Sequence, residues 1–221
     1  NIVAYTAVYD KNSNDYINAI KICKDLDVEL RTVFIDPPTK KDIEDTIYCI
    51  ESNMKAQIEI SLLNIPLAKK IHEDGFKVVL SGEGADEIFG GYGNFAIKAS
   101  KCKNDEDWLK LKKDQIDKMS RGNFRRANLA FMKYSIECRL PFIDKDIVEF
   151  VLYSPKTENP IGKTILKEVS KGLIPDYIIK RKKETFQGAS KMNTYIDSIY
   201  GNPTKMYNEI YKNIFKTIWI V

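Results

Sequence analysis

Apolar residues follow two different rhythms along the 221 residues. The run NIVAYTAVY (1–9) is β-branched and aromatic and predicts a buried strand. Asp10 to Asn14 is a polar turn. From Asp15 to Leu26 the apolar positions Tyr16, Ile17, Ala19, Ile20, Ile22, Cys23 and Leu26 recur at helical spacing. LRTVFI (30–35) predicts a second strand, closed by Pro37 and Pro38. Thr39 is placed to cap a helix reaching about Ser52, and a further helix is expected over 57–73, ended by Gly75. FKVVL (76–80) predicts a third strand. Strands separated by helices indicate a parallel sheet. From about residue 100 the rhythm changes: 104–119, 122–135, 144–152, 163–171 and 193–215 have helical spacing, and no strand is expected among them. The expected fold is α/β, a Rossmann-like parallel sheet flanked by helices over 1–100, followed by a helical part over 101–221 of the same domain.

Composition narrows the function classes. With 35 Lys and Arg against 31 Asp and Glu, the formal charge is +4, too mild to argue for nucleic acid. The basic run Lys180-Arg181-Lys182-Lys183 reads as a solvated face or an anion-facing rim. No apolar run approaches a membrane span, and no signal-peptide pattern is present. Cys23, Cys49, Cys102 and Cys138 are scattered with no CxxC, as in reduced thiols of a cytoplasmic protein. The single histidine, His72, lies on a Lys-rich helical stretch and reads as a surface residue, which argues against Ser-His-Asp chemistry and a His-rich metal site. The apolar tail FKTIWIV (215–221) is expected to pack onto the helical half.

The strongest chemical signal is KVVLSGEGADEIFGGYGNF (77–95). An apolar strand stops at Ser81. The glycines Gly82, Gly84 and Gly90 and the acids Glu83, Asp86 and Glu87 then crowd into about ten residues. A loop at the carboxyl end of a strand is where open α/β sheets bind ligands. Glycines let backbone N–H groups approach phosphate oxygens, and a helix beginning near Gly84 would turn its positive end toward the same anion. The acids fit a phosphate site once a metal is added. Mg²⁺ takes one or two carboxylates plus substrate phosphates, so Asp86 suits a magnesium ligand and leaves Glu83 to handle protons or an amine. The plain alternative is a helix N-terminus with acids suiting the dipole. No GK[ST] follows, so this is not a Walker loop, and the dinucleotide fingerprint lacks its third glycine.

VLSGEGADEIFGGY closely resembles the corresponding loop of the asparagine synthetase family, glutamine-dependent amidotransferases that form an acyl-adenylate. RRANLAF (125–131) with IECRLPFID (136–144) resembles the family's RAN…EARVPFLD stretch, GKTILKEVSKGLIPDYI (162–178) its K.ILRE…LP stretch, and KRKKETFQGASKMNTYIDSI (180–199) its RQKEQFSDGVGYSWID stretch. The four blocks keep the family's order over most of 77–200. The resemblance implies ATP and Mg²⁺ as cofactors. A carboxylate attacks the α-phosphate, pyrophosphate leaves, and an amine or ammonia displaces AMP. It places Val8 at an adenine contact and Ser81, Gly82 and Gly84 around the nucleotide. Asp86 falls on the magnesium, Glu83 at the general-base position, and Lys163 on the departing pyrophosphate. Locally, Lys163 reads only as a surface lysine at a helix start. Glu59, Glu87, Asn123 and Arg126 fall in the acceptor pocket. Arg139 and Asp144 match a patterned segment that is either functional or a structural ion pair.

Three departures qualify the resemblance. The family's pyrophosphate loop, SGGLDSS, and the strand before it have no counterpart here; a further N-terminal segment, domain or subunit is expected to supply them. The glutaminase domain is likewise absent from these residues, so the nitrogen must come from free ammonia, another domain or subunit, or a different amine. In the acceptor blocks, Glu59 stands for an arginine, Asn123 for an aspartate and Leu129 for a lysine, which disfavours aspartate as the substrate. The rival readings are a β-lactam-synthetase-like or peptide-modifying adenylating ligase and a non-catalytic subunit retaining the fold. A second copy of the chain is an open partner; nucleic acid and membrane are not expected.

Overall fold

The computed structural model describes residues 2–156, 162–181 and 190–216. The stretches 157–161, 182–189 and 217–221 lie outside them, and with them most of the KKETFQGAS block and the apolar tail. The chain is α/β and predominantly helical. It divides into two compact units that do not follow chain order: residues 1–78, 126–137 and 184–221 form one, and 79–125 with 138–183 the other. The change of rhythm near residue 100 describes the order of elements, whereas the compact units group them differently.

In the first unit, β1 (Val3–Val8) and β2 (Glu29–Phe34) pair in parallel, Val3 opposite Glu29 through Val8 opposite Phe34. The crossover between them is α1 (Asn14–Asp25), capped by the Ser13 side chain. α2 (Lys40–Ile50) starts at Thr39 with a full capping box, Thr39 accepting from the Asp42 N–H and Asp42 from the Thr39 N–H. α3 (Lys55–Glu73) follows and buries Ile58, Leu62, Leu63 and Ile65. These join Ile43, Ile47 and Ile50 of α2 in one core, which also takes Met192, Ile196, Tyr207 and Ile210 from α11 (Met192–Tyr200) and α12 (Thr204–Lys216). The single helix expected over 193–215 is therefore two: Gly201, at φ 62°, and Pro203 break it.

β3 (Val78–Leu80) pairs with β4 (Glu137–Arg139), a strand in the half where none was expected. At three residues, β4 is too short to show an alternating pattern. In the second unit, α4 (Ala85–Ile88) and α5 (Gly93–Ser100) follow the glycine-acid loop, and α6 (Asp105–Met119) packs Trp108 against Phe95 and Ala99. α7 (Asn123–Met132) begins in this unit and ends in the other. A 3₁₀ turn (Pro141–Ile143) leads to α8 (Lys145–Tyr153), whose N-terminus Asp144 caps by accepting from the Asp146 N–H at 3.0 Å. α9 (Thr164–Val169) and α10 (Asp176–Ile179) complete it.

Candidate active site

The loop after β3 is built from backbone constraints. Ser81 leaves the strand with its N–H on the Arg139 carbonyl, 3.0 Å away, and its hydroxyl accepts from the Glu83 N–H at 3.3 Å. Gly82 is exposed, with open space where a side chain would stand, so a ligand has access to its backbone. Gly84 has φ 94°, a conformation that other residues enter at a cost. A Cβ there would also lie 2.7 Å from Ile143 Cγ2. The helix expected at Gly84 is the single turn α4, too short to carry a useful macrodipole.

From α4 the chain brings two of the expected residues together. The Asp86 carboxylate lies 3.0 Å from Lys163 Nζ, both side chains mostly buried at 17% and 25% exposure. Seventy-seven positions separate them, and the backbone explains how they meet. The Gly162 N–H donates to Gly90 O at 2.9 Å, and the Lys163 N–H to Phe89 O at 3.0 Å. Gly162 and Lys163 are both left-handed, at φ 72° and 61°. For a lysine this is an uncommon conformation, held by those two bonds and by its place immediately before α9. Lys163 is thus at a helix start, and its ammonium turns inward to the loop.

A second constellation joins Glu87 to Asn123. Tyr92 Oη donates to Glu87 Oε1 at 2.7 Å, Asn123 Nδ2 donates to the same oxygen at 2.7 Å, and Asn123 Nδ2 lies 3.0 Å from Tyr92 Oη. Glu87 is 8% exposed. Burial, the hydrogen bond to Glu87 and the charges of Glu87, Asp86 and Glu83 push the Tyr92 hydroxyl far above its ordinary range. Tyr92 therefore remains a neutral donor beside three carboxylates. Sequence reading missed it; its one signal was an aromatic directly after Gly90-Gly91.

Among the described residues no group of three or more His, Cys, Asp or Glu could hold a metal ion alone. For Mg²⁺ bound to a nucleotide a single carboxylate is enough, because phosphate oxygens complete the shell. Asp86 fits such a role.

Val8, Glu59 and Arg126 belong to the other unit. Val8 is 1% exposed, its carbonyl accepting from the Ile35 N–H at 2.8 Å. Arg126 is 2% exposed. Glu59 is 1% exposed on α3, with Lys55 Nζ 3.7 Å from its Oε1; Lys55 in turn bonds Asp197 at 2.5 Å. Burial pushes the Glu59 carboxyl up to about 7, with Lys55 opposing and Asp197 reinforcing the shift. Burial, with Glu59 and Asp197 nearby, likewise raises the Tyr207 hydroxyl above its usual range.

The asparagine synthase family profile matches residues 1–127 and 115–200. A protein of Methanocaldococcus jannaschii, provisionally named asparagine synthetase [glutamine-hydrolyzing] 1, is 29% identical over 92% of this chain. Asparagine synthetase [glutamine-hydrolyzing] 1 of Arabidopsis thaliana is 33% identical over 65% of the chain, and that of Saccharomyces cerevisiae 31% over 65%. The chain spans 44% of the first relative's length and 26% and 27% of the other two. By the family profile and these relatives, the chain belongs to the asparagine synthase family.

Proposed function

We propose that this chain is the synthetase portion of an ATP- and Mg²⁺-dependent ligase that activates a carboxylate as an acyl-adenylate and passes it to ammonia or an amine, releasing AMP. The meeting of Asp86 and Lys163 in the glycine loop carries the reading: one carboxylate for a nucleotide-bound metal and one fixed cation beside it. Bound Mg²⁺ would neutralise charge moving onto the pyrophosphate. Lys163 supplies a cation to the same oxygens, the open Gly82 backbone admits phosphate, and in this reading Glu83 takes the proton of the attacking amine. Ser81, Gly82 and Gly84 shape the nucleotide's floor. Glu87 and Asn123 form the acceptor wall.

A further strand and loop, from another segment, domain or subunit, complete the phosphate site in this proposal. Two observations support that. β1 has β2 as its only strand partner among the described residues, and the relatives are more than twice as long as this chain. The same segment, domain or subunit would bring the nitrogen.

One observation favours a substrate other than aspartate. Asn123 presents an amide, where an aspartate is the family's residue, to the buried Glu87 carboxylate. A β-lactam-synthetase-like or peptide-modifying acceptor is the second reading. Magnesium-dependent ATP–pyrophosphate exchange, run against a panel of amino acids and other carboxylates, tests both. Exchange by the longest natural form is expected, and the carboxylate that triggers it names the substrate. Absence of exchange from a folded, full-length protein would leave the non-catalytic subunit standing instead.

A further inference from the structure

The space in which Asp86 and Lys163 meet exists because residue 91 has no side chain. A Cβ on Gly91 would overlap Asp86 Oδ1, and would lie 2.8 Å from Asp86 Cγ and 2.7 Å from Lys163 Cε. Gly91 is not left-handed, so its backbone does not require glycine. Nor does a tight turn explain it: the bond of its N–H to Asp86 O, at 2.7 Å, is one any residue but proline makes. What excludes a side chain is the ion pair itself. The chain on either side is pinned, with Gly90 O taken by the Gly162 N–H and Phe89 O by the Lys163 N–H, so the segment cannot swing away to admit a methyl group. The next residue, Tyr92, is tied to Glu87. The atoms that would yield are the ends of the Asp86 and Lys163 side chains.

We propose that Gly91 is a positioning residue for the reaction: its missing side chain holds the Asp86 carboxylate and the Lys163 ammonium in register with each other. This rests on the functional reading given to Asp86 and Lys163, and the test separates the two.

The primary readout is the acylation rate of Lys163 by a small anhydride, followed by mass spectrometry on the folded chain. Gly91→Ala is expected to raise it about five-fold, as Asp86→Ala does, since both release the amine from its partner. Gly93→Ala, where a Cβ meets nothing within 4 Å, is expected to leave it unchanged. If Gly91→Ala unfolds the protein, the double variant decides: with Asp86→Ala the overlapping carboxylate is gone and the Lys163 side chain, released from its partner, can give way, so the thermal stability lost in the single variant returns. Wild-type labelling in Gly91→Ala beside raised labelling in Asp86→Ala overturns the proposal, as does a stability loss that Asp86→Ala does not relieve. In pyrophosphate exchange by the longest natural form, Gly91→Ala is expected to lower the rate with KM for the carboxylate unchanged; a higher KM at an unchanged rate overturns the positioning role. Full exchange by Asp86→Ala would remove the functional reading, while the labelling would still decide whether Gly91 orders the pair.

Discussion

At Glu59, burial keeps the carboxyl protonated up to about pH 7, whereas in the unfolded chain it ionises near 4.5. Below about pH 4.5 it is neutral in both states and adds no pH dependence. Between 4.5 and 7 the folded state holds the proton that the unfolded state has released, so stability falls as pH rises, and above 7 the full loss applies. After allowance for solvent screening this amounts to about 1–2 kcal/mol. Glu59→Gln is expected to flatten that slope and to be the more stable protein at pH 8, as urea titrations at pH 5 and pH 8 would show. Tyr207 gives a companion test. Its hydroxyl is fully buried with no hydrogen-bond partner among the described residues. Tyr207→Phe should leave the melting temperature unchanged or raise it, because an orphaned buried hydroxyl costs about 1–3 kcal/mol. The acids of the loop were legible in sequence as a cluster. Which of them pair was not: Asp86 takes Lys163 and Glu87 takes Tyr92 and Asn123 through folding that closes separations of 77, 5 and 36 residues.

Among the elements, those with caps were read best. Thr39 was placed as a cap and forms a complete capping box on α2. Thr39→Ala should cost about 1 kcal/mol, measured by chemical denaturation. The start of α1 lies within a residue of the expected Asp15, because the apolar spacing begins directly after the polar turn of Asp10 to Asn14. α8 was expected from spacing, but the group that secures its end was not. Lys112, on α6 and 5% exposed, donates to the carbonyls of Val151 and Ser154, the latter at 2.8 Å. Burial lowers its ammonium to about 8. The unfolded chain binds that proton up to about 10.5, so stability contributed at this site rises between pH 8 and 10.5. Lys112→Met is expected to cost about 1–3 kcal/mol at neutral pH by leaving the Val151 carbonyl without its donor, while Ser154 O keeps the Trp108 Nε1–H, and faster amide exchange in α8 would localise the loss. No local pattern distinguishes Lys112 from the other lysines of α6, since its partners lie about forty residues away.

For the whole molecule, the open edge of β1 sets the expectation that reaches beyond this chain. The Val8 carbonyl points to β2, so in a parallel ladder Ala4 and Thr6 face the same way, and Tyr5 and Ala7 face the open edge. The Tyr5 and Ala7 amides should exchange at least about ten-fold faster than that of Thr6 in this chain, and slow in the longest natural form if a strand pairs there. Unchanged rates in the longer form would argue against the added strand. The sequence by itself determined the α/β class, most of the helices, the three strands whose apolar runs are long enough to read, and the family, because periodicity, caps and the glycine-acid loop are local signals. Only the tertiary structure decided that a three-residue strand pairs with β3, that 193–215 is two helices, how the elements group into compact units, and that Gly91 is the empty space in which Asp86 meets Lys163. Those outcomes depend on hydrogen bonds and side-chain volume between residues distant in sequence, which no window of the chain contains.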